Sequence, residues 1–241
     1  MARRLLVPYS GYNLFLFLFF FVKNDLLAGQ VSAQSFFPLL GILYSRNCLF
    51  PADAPGNVYF MQILNAPTWF LTCMFLANLI FCRLMRAAKG NMKKALYLNF
   101  GLLLASVLLH YLCPVLLPWS LDCALYSVSF LMFGSSLARR ELVEKLYRKP
   151  GILVLLAAAF IGLSCLNGSV NMSVADYGRS MILYLVIGGL GSFLVMEASL
   201  FLEKHAGVFA KACGFLGRHT MPVLCLHLFV YSIIETILNI L

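Results

Sequence analysis

NAPTWFLTCMFLANLIF, residues Asn65 to Phe81, carries no charge in the sixteen positions after its first. Together with the apolar run from Val58 it is long enough to cross a bilayer at about 20 residues per helix. Its head departs from a plain spanning helix. Asn65, Pro67 and Trp69 set a kink-forming residue and two hydrogen-bonding side chains where the chain enters the apolar core. Two readings stand: Asn65 and Trp69 line a cavity, or Pro67 starts the helix and Trp69 is an interfacial anchor.

The rest of the chain has the same character. Of 241 residues, 62% are hydrophobic and 11% charged, and the mean hydropathy is +0.89; a soluble domain averages about 25% charged. Continuous apolar runs, without period-two alternation, point to helices that satisfy their own backbone hydrogen bonds. The expected fold class is all-α: a polytopic membrane helical bundle of about seven transmembrane helices, near 5–22, 58–82, 95–113, 119–138, 150–167, 180–201 and 219–239. Fifteen of the 18 Lys and Arg residues fall in one alternating set of polar segments, and only Lys23, Arg46 and Arg179 in the other. That asymmetry places the N-terminus in the cytoplasm and the C-terminus outside a cell membrane crossed several times. The net charge of +9 is therefore topological, and nucleic acid is not expected as a partner.

The eight cysteines show no CxxC, so they read as small packing residues and no metal is expected. Cys48 and Cys113 share the outer side, and are not expected to pair. The N-terminus imitates a signal peptide, but Lys23, Asn24 and Asp25 separate the apolar run from the small residues ending at Ala33, so it reads as a retained first span. Ser35 to Tyr44 is apolar yet too short to cross, and reads as a re-entrant or interfacial piece.

Several polar residues stand inside the spans. Asp122 opens the fourth, either facing the bundle as a site residue or serving the helix dipole. Glu197 lies one turn before the inner end of the sixth, pairing with Lys204 or sitting at the interface. His227 and Glu235 are eight residues apart on the last span and so share a face. His227 can move a proton or bind a ligand, or be a satisfied bundle residue; His110, alone in its span, carries still less. Soluble-enzyme signatures such as G-x-S-x-G, a Walker sequence or H-E-x-x-H are absent.

Four stretches together resemble the membrane-bound acyltransferase family 3, and within it the fucose 4-O-acetylase-like branch. They are RRLLVPY from Arg3, NAPTWFLTCMF from Asn65, LPWSLDCALYSVSFLMFGSSL from Leu117, and NGSVNMSVADYG followed by FLGRHTMPVLCLHLF. The resemblance implies a single integral-membrane domain over 1–241 that transfers an acetyl or other acyl group from acyl-CoA to a sugar hydroxyl of a glycan or lipid-linked saccharide. Acetyl-CoA is then a donor substrate, with no bound cofactor, and the partners are the lipid bilayer, acyl-CoA and a saccharide acceptor. It gives Arg3 and Arg4 the polyanionic donor, which suits arginine's fixed charge and forked donors. The family's catalytic histidine lies upstream of the arginine motif, where this chain does not reach, so the domain is expected to lack the family's first helices and to transfer acyl groups slowly if at all. His227 and Asp122 are the remaining catalytic candidates. A multi-pass transporter or flippase, and a catalytically dead partner protein, are the alternatives; no pair of broken spans repeats between the two halves, as a transporter would favour.

Overall fold

A computed structural model describes residues 2–51, 56–60, 66–140 and 150–238. Nine α-helices are found among them: α1 Ala2–Phe20, α2 Phe37–Tyr44, α3 Trp69–Ala88, α4 Met92–Leu112, α5 Leu121–Arg140, α6 Pro150–Asn167, α7 Met181–His205, α8 Gly207–Arg218 and α9 Thr220–Leu238. Five stretches are long and apolar enough to cross a membrane: Arg3–Leu26, Trp69–Ala88, Met92–Leu112, Pro118–Ala138 and Met181–His205. α6 is apolar over the shorter Gly151–Asn167, and α9 adds a further 19-residue apolar helix. The expected all-α membrane bundle is thus observed, with five stretches at full spanning length among the described residues; α6 and α9 would bring the count to the seven expected.

Helix α5 is the hub, packing on α3, α4 and α7, while α1 packs on α3 and α9. Small residues allow the close approach of α3 and α5, where Cys73, Ala77, Cys123 and Ala124 form a fully buried seam. Further along the same helices, Leu84, Ala88, Val128 and Met132 close the core with Ala95 of α4. The turn at Lys89–Asn91 reverses the chain between α3 and α4: Lys89 ends α3 in the left-handed region and the Asn91 side chain accepts from the Lys94 backbone N–H. Arg83, Arg86, Lys89, Lys93 and Lys94 all flank that turn, which defines the basic end of the bundle.

At the basic end α8 is amphipathic. Val208, Phe209, Ala212, Phe215 and Leu216 fall on one side of its wheel, and Lys211 and Arg218 on the other. Of these, Val208, Phe209, Phe215 and Leu216 are strongly exposed.

The second expected span begins later than the sequence indicates. Residues 58–60 do not enter a helix; they pair with 47–49, where Leu49 N–H donates to Val58 O at 3.0 Å and Phe60 N–H to Asn47 O at 2.8 Å. A 3-10 turn at Ala66–Thr68 then leads into α3 at Trp69. Pro67 brings no backbone N–H to a longer helix, and apolarity at 58–60 serves a cap on the bundle end. The first span runs longer than expected, because a π-helical turn continues α1 over Phe21–Leu26.

Candidate functional site

The end opposite the basic one is tied by Arg46, whose side chain is fully buried. A left-handed Ser45 ends α2 and turns the chain so that Arg46 points into the bundle. Its Nη2 donates to Asp122 Oδ1, forming an ion pair, and contacts Cys123 Sγ at 3.5 Å. Nη1 donates to Ser173 O at 2.8 Å and Nε to Leu117 O at 3.4 Å. The guanidinium lies 5.9 Å from the centroid of the Trp69 ring, within cation–π range. Burial opposes its charge, but the Cys123 sulfur and the Asp122 carboxylate outweigh that and raise its pKa. Four segments distant in sequence meet on this one cation.

Asp122 is carried there by a strained turn. Trp119 and Ser120 both adopt left-handed φ, 55° and 57°, which non-glycine residues hold only when surroundings enforce it. The Trp119 indole N–H donates to Leu43 O at 2.9 Å and the Tyr44 hydroxyl to Leu116 O at 2.7 Å, so α2 clamps the turn from above. The Ser120 hydroxyl is buried near Asp122 in sequence, with no hydrogen-bond partner among the described residues.

On the other side of Asp122 lies a small cavity of about 50 Å³, lined among others by Ser106, His110, Leu117, Asp122 and Tyr177. It has room for about one or two water molecules. Tyr177 stacks edge-on to His110 at 5.4 Å and its hydroxyl donates to Cys123 Sγ at 3.5 Å. Burial drives the Tyr177 pKa well above the usual range, so it acts as a neutral donor. A carboxylate, an imidazole and a phenol therefore line one water-sized space, with the Arg46 cation behind the carboxylate.

The candidate residues named from the sequence divide between the two ends. Asp122 and Trp69 come together on Arg46, and Asp122 is both the first-turn acid of α5 and an ion-paired group facing the bundle. Asn65 lies outside the described residues. Just beyond it, Thr68 is hydrogen-bonded to the buried Asn13 of α1 at 3.1 Å, and Thr72 to Ser45 at 2.6 Å, so the head of α3 is a polar junction. Arg3 and Arg4 are exposed in the first turn of α1, about 25 Å of helix from its far end at 1.5 Å per residue. His227 is half-buried on α9, its Nδ1 against its own helix's Val223 and Leu224 carbonyls at 3.2 and 3.0 Å. It has no contact with the Arg46 cluster among those described. Sequence reasoning does not indicate Arg46 or Ser106, and it ranks His110 below His227. Arg46 sits in a polar segment that resembles any charged loop. A signal for His110 exists, since it and Asp122 are equally spaced about the Pro114–Pro118 turn and so face each other across the hairpin.

Other polar residues have local duties. Glu197, also buried, has carboxylate oxygens with no hydrogen-bond partner among the described residues. Asn167 is buried, donating to Tyr177 O at 2.9 Å and accepting from Ser180 N–H at 3.1 Å, so its amide holds the loop between α6 and α7. Among the described residues no group of three His, Cys, Asp or Glu side chains could hold a metal.

Compared with known proteins, the chain matches the family model described as an acyltransferase domain over residues 2–241. No curated protein and no solved structure matches it.

Proposed function

The chain belongs to that acyltransferase domain family, and from this premise we propose that it is a membrane O-acyltransferase carrying an acetyl group from acetyl-CoA to a saccharide hydroxyl. The observation that carries the reading is the family match across nearly every residue. The buried cluster at Arg46 supports it.

In such a transfer the acceptor oxygen attacks the thioester carbonyl, the C–O bond forms, the C–S bond breaks, the hydroxyl proton passes to a base and the thiol leaves protonated. His110, beside the cavity it shares with Asp122, is placed to take that proton. Asp122, which lines the same cavity, is held in place by the buried Arg46. Arg3 and Arg4 take the donor's phosphates at the basic end, which faces the cytoplasm under the positive-inside rule. The thioester of a long donor then extends along the bundle toward the opposite end. His227 is the second candidate base.

Vesicles containing the protein, given radiolabelled acetyl-CoA and a mixed glycan acceptor, should place label on saccharide above protein-free vesicles. No label on saccharide overturns the reading. A reporter fused at Lys89 should score cytoplasmic and one at Gly168 external; the reverse overturns the orientation.

A further inference from the structure

A much larger cavity, about 920 Å³, opens between the end of α1, the chain leading into α2, and α9. The π-helical turn over Phe21–Leu26 is what aims Phe21, Asn24 and Asp25 at it. Its wall is two-toned. Phe17, Phe21, Phe37 and Phe229 supply aromatic surface, whereas Asn24, Asp25, Gln30 and Gln34 supply a rim of amides and one carboxylate. An apolar body with a few convergent polar groups is the general make-up of a ligand site. Phe60 of its wall contacts Tyr44 at 5.3 Å between ring centroids, two residues before Arg46.

The charges decide the ligand. No Lys or Arg lines the cavity among the described residues, and the stretches 52–55 and 61–65 contain none in sequence. Lys23, the neighbouring cation, is exposed and outside the lining. Among the described residues, the start of the helical segment leading into α2, where an anion could be received, is already taken. There the Ser35 hydroxyl donates to Asp25 Oδ1 at 2.6 Å while accepting from the Ser32 N–H at 3.2 Å. A phosphate would meet a carboxylate and no guanidinium or ammonium, the opposite of a phosphate site. Uncharged amides that both donate and accept suit hydroxyl groups, and aromatic rings suit an alkyl chain or the apolar face of a sugar ring.

We infer that this cavity holds an uncharged amphiphilic glycoside, a polyhydroxyl head on an apolar chain, and rejects phosphorylated lipid carriers. The inference rests on the acyltransferase reading for its purpose, since it names the acceptor class, though not for its binding.

The test is photolabelling of the full chain in phosphatidylcholine nanodiscs with a diazirine-bearing octyl glucoside and no acyl donor. Label should map to residues 17–38 and 229–232, and unlabelled octyl glucoside should compete it away while octyl phosphate does not. Asn24→Leu and Gln34→Leu, both at exposed positions, should each lower labelling about tenfold through lost hydrogen bonds, with unchanged thermal unfolding. Competition by octyl phosphate as strong as by the glucoside overturns the inference. So does stronger competition by octyltrimethylammonium, label spread over the lipid-facing surfaces of α4 and α6, or no label at all. Because no donor is present, labelling with failed acetyl transfer would sink the enzymatic reading alone, and transfer without labelling would sink the cavity assignment alone.

Discussion

The Asp122 carboxylate neutralises a fully buried Arg46 guanidinium from 76 residues away in sequence. The two ends of this pair differ, since the Asp122 side chain keeps 15% of its surface exposed and Arg46 none.

That asymmetry predicts unequal effects. Asp122→Leu strands a cation with no water contact and should lower stability by about 3–5 kcal/mol. Arg46→Met strands a partly solvated carboxylate and should cost less. The double variant should be more stable than Asp122→Leu alone, with a coupling of roughly 1–3 kcal/mol. Thermal unfolding of the four proteins in one detergent decides it, and strictly additive losses would contradict the pair.

His110→Gln should reduce acetyl transfer by about 10² to 10⁴-fold, the range for removing a general base. His227→Gln should have far less effect, because its ring is held against its own helix. A base and a packing residue separate on kcat against thermal unfolding: the loss in His110→Gln should fall on kcat with the unfolding temperature unchanged. Equal residual rates in the two variants would leave His110 without that role.

Gly178 has φ +74°, and a Cβ there would stand 2.5 Å from the Asn167 side-chain nitrogen and 2.6 Å from its carbonyl oxygen. Gly168 has φ +79° but open space. Gly168→Ala should therefore cost about 1–2 kcal/mol from backbone strain alone. Gly178→Ala should cost that plus roughly 1–3 kcal/mol, as Asn167 must abandon its bonds to Tyr177 and Ser180. Indistinguishable unfolding temperatures for the two variants would refute this account of the loop.

The helical class is open to direct reading, because apolar run length is a property of sequence alone and survives any packing. So is Asp122, since an acid inside an apolar segment has few tolerable environments. Arg46 is hidden for the converse reason. A charge between spans is normally solvated, and only the left-handed Ser45 and the fold of 117–123 and 172–174 around it turn this one inward. The start of α3 escapes hydropathy because 58–60 is as apolar as a helix, and what diverts it is pairing with 47–49, a contact that residue type alone does not register. For the donor arginines the chain shows exposure at the basic end, and only resemblance gives them a ligand.

Cys48 is buried with its thiol against Phe50 O at 3.1 Å, and burial raises its pKa. A raised thiol pKa means less thiolate at a given pH, and the thiolate is the reactive form. In single-cysteine variants, Cys48 should thus react with maleimide much more slowly at pH 7–8 than the exposed Cys213. Comparable rates for the two thiols would show that Cys48 is accessible.

The Arg46 hub also imposes a timetable on synthesis. Its carbonyl acceptor at Ser173 lies 127 residues downstream, so the guanidinium emerges long before its last partner has been translated. Pairing across such separations must wait for loop closure, and folding led by distant contacts is slow. Until α5 and the loop after α6 have arrived, Arg46 stays on the wet side of the membrane. The α2 segment then settles only as the charge goes in, which makes closure of this end a late step in assembly.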